Sequence, residues 1–182
     1  IFTTVTFPFA VPFIVGGVRV AWARALVGVV VAEFFGAFAG FGFAVETSLH
    51  AMRLIMCGLF DEFPKLKIIL GHMGEGLPFW LQRIDNRYLL QVKIGAVKKM
   101  KRLPSEYFLD NFLITTSGVM SAPALKLSIE VLGVERIMFA ADYPYESATE
   151  GVQFMDTVDI PEEHRRLIYS GNAEKLFQLP CR

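Results

Sequence analysis

The chain is short of the residues that staple or ligate: its 182 residues include only two cysteines and three histidines. Cys57 and Cys181 lie far apart and in no CxxC spacing. That excludes a disulfide framework and a structural zinc site and points to a reducing, cytoplasmic compartment. An excess of one charge is also missing, because eighteen basic side chains balance eighteen acidic ones. No global field then favours nucleic acid or an anionic membrane, which leaves a small molecule as the expected partner. No histidine precedes His50, so a histidine metal motif is excluded from the first quarter of the chain. A basic region ahead of the first apolar run, as in a secretory signal, is absent as well, and there is no internal repeat or low-complexity tract.

What is there divides near residue 41. Residues 1–40 carry only three charges, Arg19, Arg24 and Glu33, whereas the rest has ordinary globular composition. Residues 25–43 are apolar apart from Glu33, and Gly36 and Gly40 form a GxxxG pair, so a membrane helix enters as one reading. The mid-span carboxylate and four glycines weigh against it. From Val45 onward, Val45, Leu49, Met52, Met56, Leu59 and Phe63 recur at helical spacing, with Thr47 and Ser48 as caps and Pro64 as the stop. Three apolar runs, Leu66–Leu70, Phe112–Thr116 and Ile137–Ala141, read as strands buried on both faces. They alternate with helices over Pro78–Val92, Ala122–Leu132 and Glu162–Leu179, the last with Leu167, Ile168, Leu176 and Phe177 inward. The five basic residues from Lys93 to Arg102 read as a solvated helix face. Alternation of this kind implies right-handed parallel crossovers and an α/β layer or barrel whose chemistry sits at the strand C-termini, where His72, Ser117 and Asp142 fall.

Gly71-His72-Met73-Gly74-Glu75-Gly76 places an imidazole and a carboxylate just past a strand, with glycines that allow a sharp turn. The same residues also fit a glycine-rich turn in which His72 bonds only locally. Asp142 follows five apolar residues, where a carboxylate suits metal ligation or proton transfer, and where it equally suits an N-cap. His50 and His164 fall in helical patterns and read as structural or exposed, and Cys57 reads as a small core residue.

Taken together, 'LKIILGHMGEGLPFWLQRID', 'NFLITTSG', 'RIMFAADYPYES' and 'GNAEKLF' resemble the amidohydrolase superfamily. The branch is the amidohydrolase-related decarboxylases of small aromatic acids, which includes γ-resorcylate and 2,3-dihydroxybenzoate decarboxylases and, further off, aminocarboxymuconate semialdehyde decarboxylase. The likeness runs over residues 41–179 and implies a (β/α)8 TIM barrel, a small hydroxylated aromatic carboxylic acid as substrate, and a homo-oligomer. It implies that Asp142 binds a divalent cation (zinc or manganese, with magnesium as a further option) and can donate a proton. It makes His72 an acid–base or substrate-contacting residue with Glu75 as its partner. Arg83, eleven positions after His72, would hold the substrate carboxylate; a surface ion pair with Asp85 or Glu75 is the rival reading.

Two features depart from that pattern. The early 'HxH' or 'ExH' strand and the histidine that ends the fifth strand are missing, and residues 1–40 do not read like the family. Three strands cannot close an eight-stranded barrel, so the expectation is an incomplete copy, with only the last three strands and their helices. Such a chain, alone, would bind zinc or manganese weakly and would not decarboxylate. A metal-dependent hydrolase of a lactone or amide and an inactive truncated paralogue serving as a binding module stand as the alternatives.

Overall fold

The computed structural model describes residues 41–179, with side chains from residue 47 onward. By its contacts the chain divides into Ile1–Ala44 and Val45–Arg182, and the description concerns the second unit. The GxxxG pair and most of the apolar span lie outside the described residues, among which no helix is long and apolar enough to cross a membrane.

Strands β1 (Ile68–Leu70), β2 (Phe112–Thr115) and β3 (Ile137–Met138) form a parallel sheet in the order β1-β2-β3. The register pairs Ile68 with Phe112, Leu70 with Ile114, and Ile114 with Ile137. Around the sheet run α1 (Phe41–Met56), α2 (Leu59–Glu62), α3 (Leu77–Lys93), α4 (Pro104–Asn111), α5 (Ala122–Leu132), α6 (Ala148–Thr157), α7 (Glu162–Arg166) and α8 (Asn172–Phe177). A π turn, Leu167–Gly171, joins the last two. This is the strand–helix alternation expected of a partial barrel. Central β2 is buried along its whole length, as its apolar, β-branched sequence requires. Beneath it Phe112 stacks on Phe108 at 5.2 Å and meets Phe60 edge-on at 5.3 Å, which joins α4 and α2 to the sheet.

Several local expectations are corrected. The long helix breaks at Cys57 and Gly58, where Gly58 has φ 84, and Thr47 and Ser48 lie inside it instead of at a cap. Its buried face is Ser48, Ala51 and Ile55, whereas Leu49 and Met56 are exposed. Cys57 lies in the turn, exposed and not in the core, with its thiol bonded to the Leu54 carbonyl. Strand β1 is not buried on both faces, since Ile69 is exposed, and β3 is two residues long, not five. Apart from Lys93, the last residue of α3, the basic stretch lies beyond that helix and not on a helix face, and Arg102 there pairs with Asp110 and stacks over Tyr107. Helix α4, opened by Pro104 and capped at that same end by the Glu106 carboxylate, which accepts from the Leu103 N–H, has no counterpart in the expected elements. In the last helical segment Ile168 is buried, but Phe177 is exposed.

Candidate active site

Beyond β1 the chain makes a left-handed turn. His72, Met73, Gly74, Glu75 and Gly76 have φ of 51, 52, 75, 52 and 77. Left-handed backbone costs about 1–2 kcal/mol for each residue with a Cβ, so the glycines lower the cost and tertiary contacts must hold the other three. The turn folds Glu75 back onto His72. The Glu75 N–H donates to the His72 carbonyl at 2.9 Å, and Glu75 Oε1 meets His72 Nδ1 in a short charge-assisted contact. The other ring nitrogen, Nε2, lies 3.1 Å from Oδ2 of Asp142, which the end of β3 delivers with φ 61. The Glu75 side chain is buried, that of His72 partly so, and Asp142 reaches solvent. A carboxylate–imidazole–carboxylate relay thus runs from the interior to the strand edge.

Two carboxylates on one ring favour its cationic form. Chiefly the Glu75 hydrogen bond, helped by Asp142 and opposed by burial, lifts the His72 pKa from 6.5 to about 9. The folded value exceeds the unfolded one, so the stability this imidazolium contributes is complete below pH 6.5 and is lost as pH rises through about 9. Histidine NMR on chelator-treated protein should give a His72 midpoint near 9. A midpoint at the ordinary histidine value would refute the paired ring.

Strand β2 ends between the two acidic partners. Ser117 Oγ accepts from the His72 backbone N–H at 3.2 Å and lies 2.9 Å from Thr115 Oγ1. Gly118, at φ +65, lies against the ring: a Cβ there would stand 2.8 Å from His72 Cδ2. We expect Gly118→Ala to push the imidazole off Asp142. Histidine ring NMR together with a melting curve would test this, and an unchanged His72 ring signal would refute it.

The structure brings His72, Glu75 and Asp142 together at one strand edge, with Ser117 beside them. Asp142 is not an N-cap; Ser147 caps α6 by accepting from the Glu150 N–H. Arg83 stands apart, exposed on α3 and without an ion pair to either rival partner. Asp85 instead accepts from the Ser105 N–H and hydroxyl, and Glu75 is held by His72. His50 is exposed and His164 partly buried. Sequence reasoning placed Ser117 at the edge but gave no role to Thr115, Thr116 or Gly118; the signal was a run of three hydroxyls closing an apolar strand. Among the described residues no group of three or more histidine, cysteine or acidic side chains is arranged to hold a metal ion. Both His72 nitrogens face carboxylates, and each carboxylate keeps its second oxygen off the ring; that of Asp142 belongs to the more exposed side chain.

Comparison with known proteins follows the same lines. Residues 13–179 match the family described as Amidohydrolase, a match that begins well inside the apolar first segment. The γ-resorcylate decarboxylase of Polaromonas sp. (strain JS666) is 43% identical over 137 residues, 75% of this chain and 42% of that protein. The chain therefore spans well under half the length of this relative. The crystal structure of 5-carboxyvanillate decarboxylase from Sphingomonas paucimobilis superposes with a TM-score of 0.76 at 47% identity, covering 82% of this chain and 46% of that one. A dihydroxybenzoic acid decarboxylase from Polaromonas sp. JS666, with bound manganese and the inhibitor 2-nitroresorcinol, superposes with a TM-score of 0.70 at 38% identity, covering 84% and 46%.

Proposed function

Because the chain belongs to the amidohydrolase family, we propose that its strand edge carries the acid–base part of a carboxy-lyase that removes carbon dioxide from a small hydroxylated aromatic acid. The observation that carries this reading is the relay in which Glu75 and Asp142 grip the two nitrogens of His72. Non-oxidative decarboxylation needs a proton at the ring carbon that bears the carboxylate. Protonation makes that carbon tetrahedral, the C–C bond then breaks, its electron pair restores the aromatic ring, and carbon dioxide leaves. A cationic His72 with Asp142 at its solvent side holds a proton at this edge, and buried Glu75 keeps the ring oriented and charged. Arg83, a permanently charged planar fork exposed on α3 and without an ion pair among the described residues, is the proposed anchor for a substrate carboxylate.

The described residues do not make a metal site by themselves. Relatives with this fold hold manganese; in this chain the proposal assigns Asp142 as the described residue that would contribute to a divalent ion, manganese or zinc, which would stabilise developing negative charge on substrate oxygens. Incubation with 2,6-dihydroxybenzoate or 5-carboxyvanillate and Mn²⁺, with carbon dioxide and the ring product both quantified, tests the proposal. The missing upstream ligand motifs predict an inactive copy, whereas this proposal expects equimolar carbon dioxide and decarboxylated phenol. A ring-opened acid without carbon dioxide would instead assign hydrolysis, and the absence of both products would count against catalysis by this chain.

A further inference from the structure

Three consecutive hydroxyl residues close β2, and all are buried: Thr115, Thr116 and Ser117 are 9%, 5% and 6% exposed. A buried hydroxyl without a partner is destabilising, so three in a row at the end of an apolar strand need a reason. Their partners supply it. Side chains alternate across a strand, and here they divide the work. Thr115 and Ser117, two positions apart, bond each other at 2.9 Å, and Ser117 Oγ takes the His72 backbone N–H on the β1 side. Thr116 reaches to the β3 side, where its hydroxyl donates to the Ala140 carbonyl and accepts from the Ala140 N–H, both at 3.2 Å.

This second contact stands where the backbone ladder gives out. The β2–β3 register ends at Thr115 and Met138, and the last main-chain link is the Thr116 N–H to the Met138 carbonyl at 3.1 Å. Phe139 N–H has turned away to the Ile168 carbonyl. The Thr116 hydroxyl therefore stands in for a ladder partner at both main-chain groups of Ala140, two residues before Asp142. Ser117 anchors the first residue of the left-handed turn at His72 itself. One strand end thus holds both members of the 3.1 Å contact between His72 and Asp142, which come from elements 70 positions apart.

We propose that Thr116 and Ser117 are positioning residues that set the distance between His72 and Asp142: a hydroxyl clamp, in which Ser117 fixes the imidazole side and Thr116 fixes the carboxylate side. Its catalytic consequence rests on the decarboxylase reading, whereas its structural content does not. Thr116→Val keeps the shape and β-branching of the side chain and removes only the hydroxyl; Thr116→Ser keeps the hydroxyl; Ser117→Ala releases the other arm.

The test uses the full chain labelled with ¹⁵N-histidine, whose three histidines are assigned by substitution, at a fixed pH below neutrality. Wild type should give a downfield Nε2–H resonance for His72. Thr116→Val should broaden or lose that resonance while backbone spectra outside the sheet edge stay in place, Thr116→Ser should keep it, and Ser117→Ala should shift it from the opposite side. A His72 ring signal unchanged in both Thr116→Val and Ser117→Ala would overturn the clamp. Where Thr116→Val does not fold, Ser117→Ala alone decides. With 2,6-dihydroxybenzoate turnover as a second readout, Thr116→Val should lose roughly 10- to 100-fold in kcat with KM little changed, restored in Thr116→Ser. Wild type that gives the ring signal but no turnover removes the decarboxylase reading and leaves the clamp standing. Turnover that is unaffected by losing the hydroxyl removes the clamp and leaves the decarboxylase reading standing.

Discussion

Asp142→Asn should lower carbon dioxide release by roughly 10²- to 10⁴-fold, the range attributed to a positioned general acid or base. Asparagine keeps the size of the side chain and can still accept from His72 Nε2 through its amide oxygen, so the fold should hold. It cannot carry the negative charge that faces the imidazole at 3.1 Å, nor pass on a proton, nor offer a carboxylate to a divalent ion. The loss should fall on kcat, with the melting temperature close to wild type. Asp159→Asn provides the control, because that carboxylate is fully solvated and pairs only with Lys126 on the surface, where ion pairs contribute little. An Asp142→Asn protein that keeps more than about a tenth of wild-type turnover would contradict a general-acid contribution of this size.

The largest effect on stability should come from Asn172. This side chain is 3% exposed, and its amide donates at 2.7 Å to the carbonyls of both Val134 and Ile137. Those two carbonyls flank the entry to β3, so a single amide ties α8 to the strand that ends in Asp142. Asn172→Leu keeps the branching of the side chain and removes the amide donor from both acceptors; the Val134 carbonyl keeps the Ile137 N–H, whereas the Ile137 carbonyl loses this donor, at about 1–3 kcal/mol. Against a total stability of about 5–15 kcal/mol, the urea midpoint should fall steeply and turnover should follow it down only as the protein unfolds. Asn111 is the matching clip at the other side of the sheet, donating to Pro64 and Leu66 at 3.0 and 2.8 Å at the entry to β1. A midpoint for Asn172→Leu within error of wild type would show that water or relaxed backbone satisfies these carbonyls instead.

Sequence alone determined the periodic elements and the side of the sheet where chemistry collects. The alternation of apolar runs and helical patterns forces parallel crossovers, so His72, Ser117 and Asp142 had to meet at one edge, as they do. Helix α5 was legible to the residue because Ser121-Ala122-Pro123 opens it and Gly133 closes it. Legibility failed where local pattern and tertiary context disagreed. The helix from Phe41 buries Ser48 and Ala51 instead of Leu49 and Met56, because the facing surface, not hydrophobicity, selects which stripe turns inward. Cys57 left the core because a left-handed glycine ended the helix one residue later. Helix α4 was hidden because its short sequence carries little periodicity of its own and is held by Phe108 and Tyr107 packing into the sheet.

In the site, the same division holds. Residue types and their order named His72, Glu75 and Asp142, but which nitrogen faces which carboxylate follows from five left-handed residues in succession, and no window of sequence encodes that torsion pattern apart from its glycines. The role of Thr116 and Ser117 was equally out of reach, since their partners are 24 and 45 positions away and a hydroxyl in a strand reads as solvent-facing until its neighbours are in place. Periodicity is a property of the chain and survives without tertiary contacts. The distance between two side chains from different strands is set by register, twist and the few hydrogen bonds at the strand ends, and only the folded sheet fixes those.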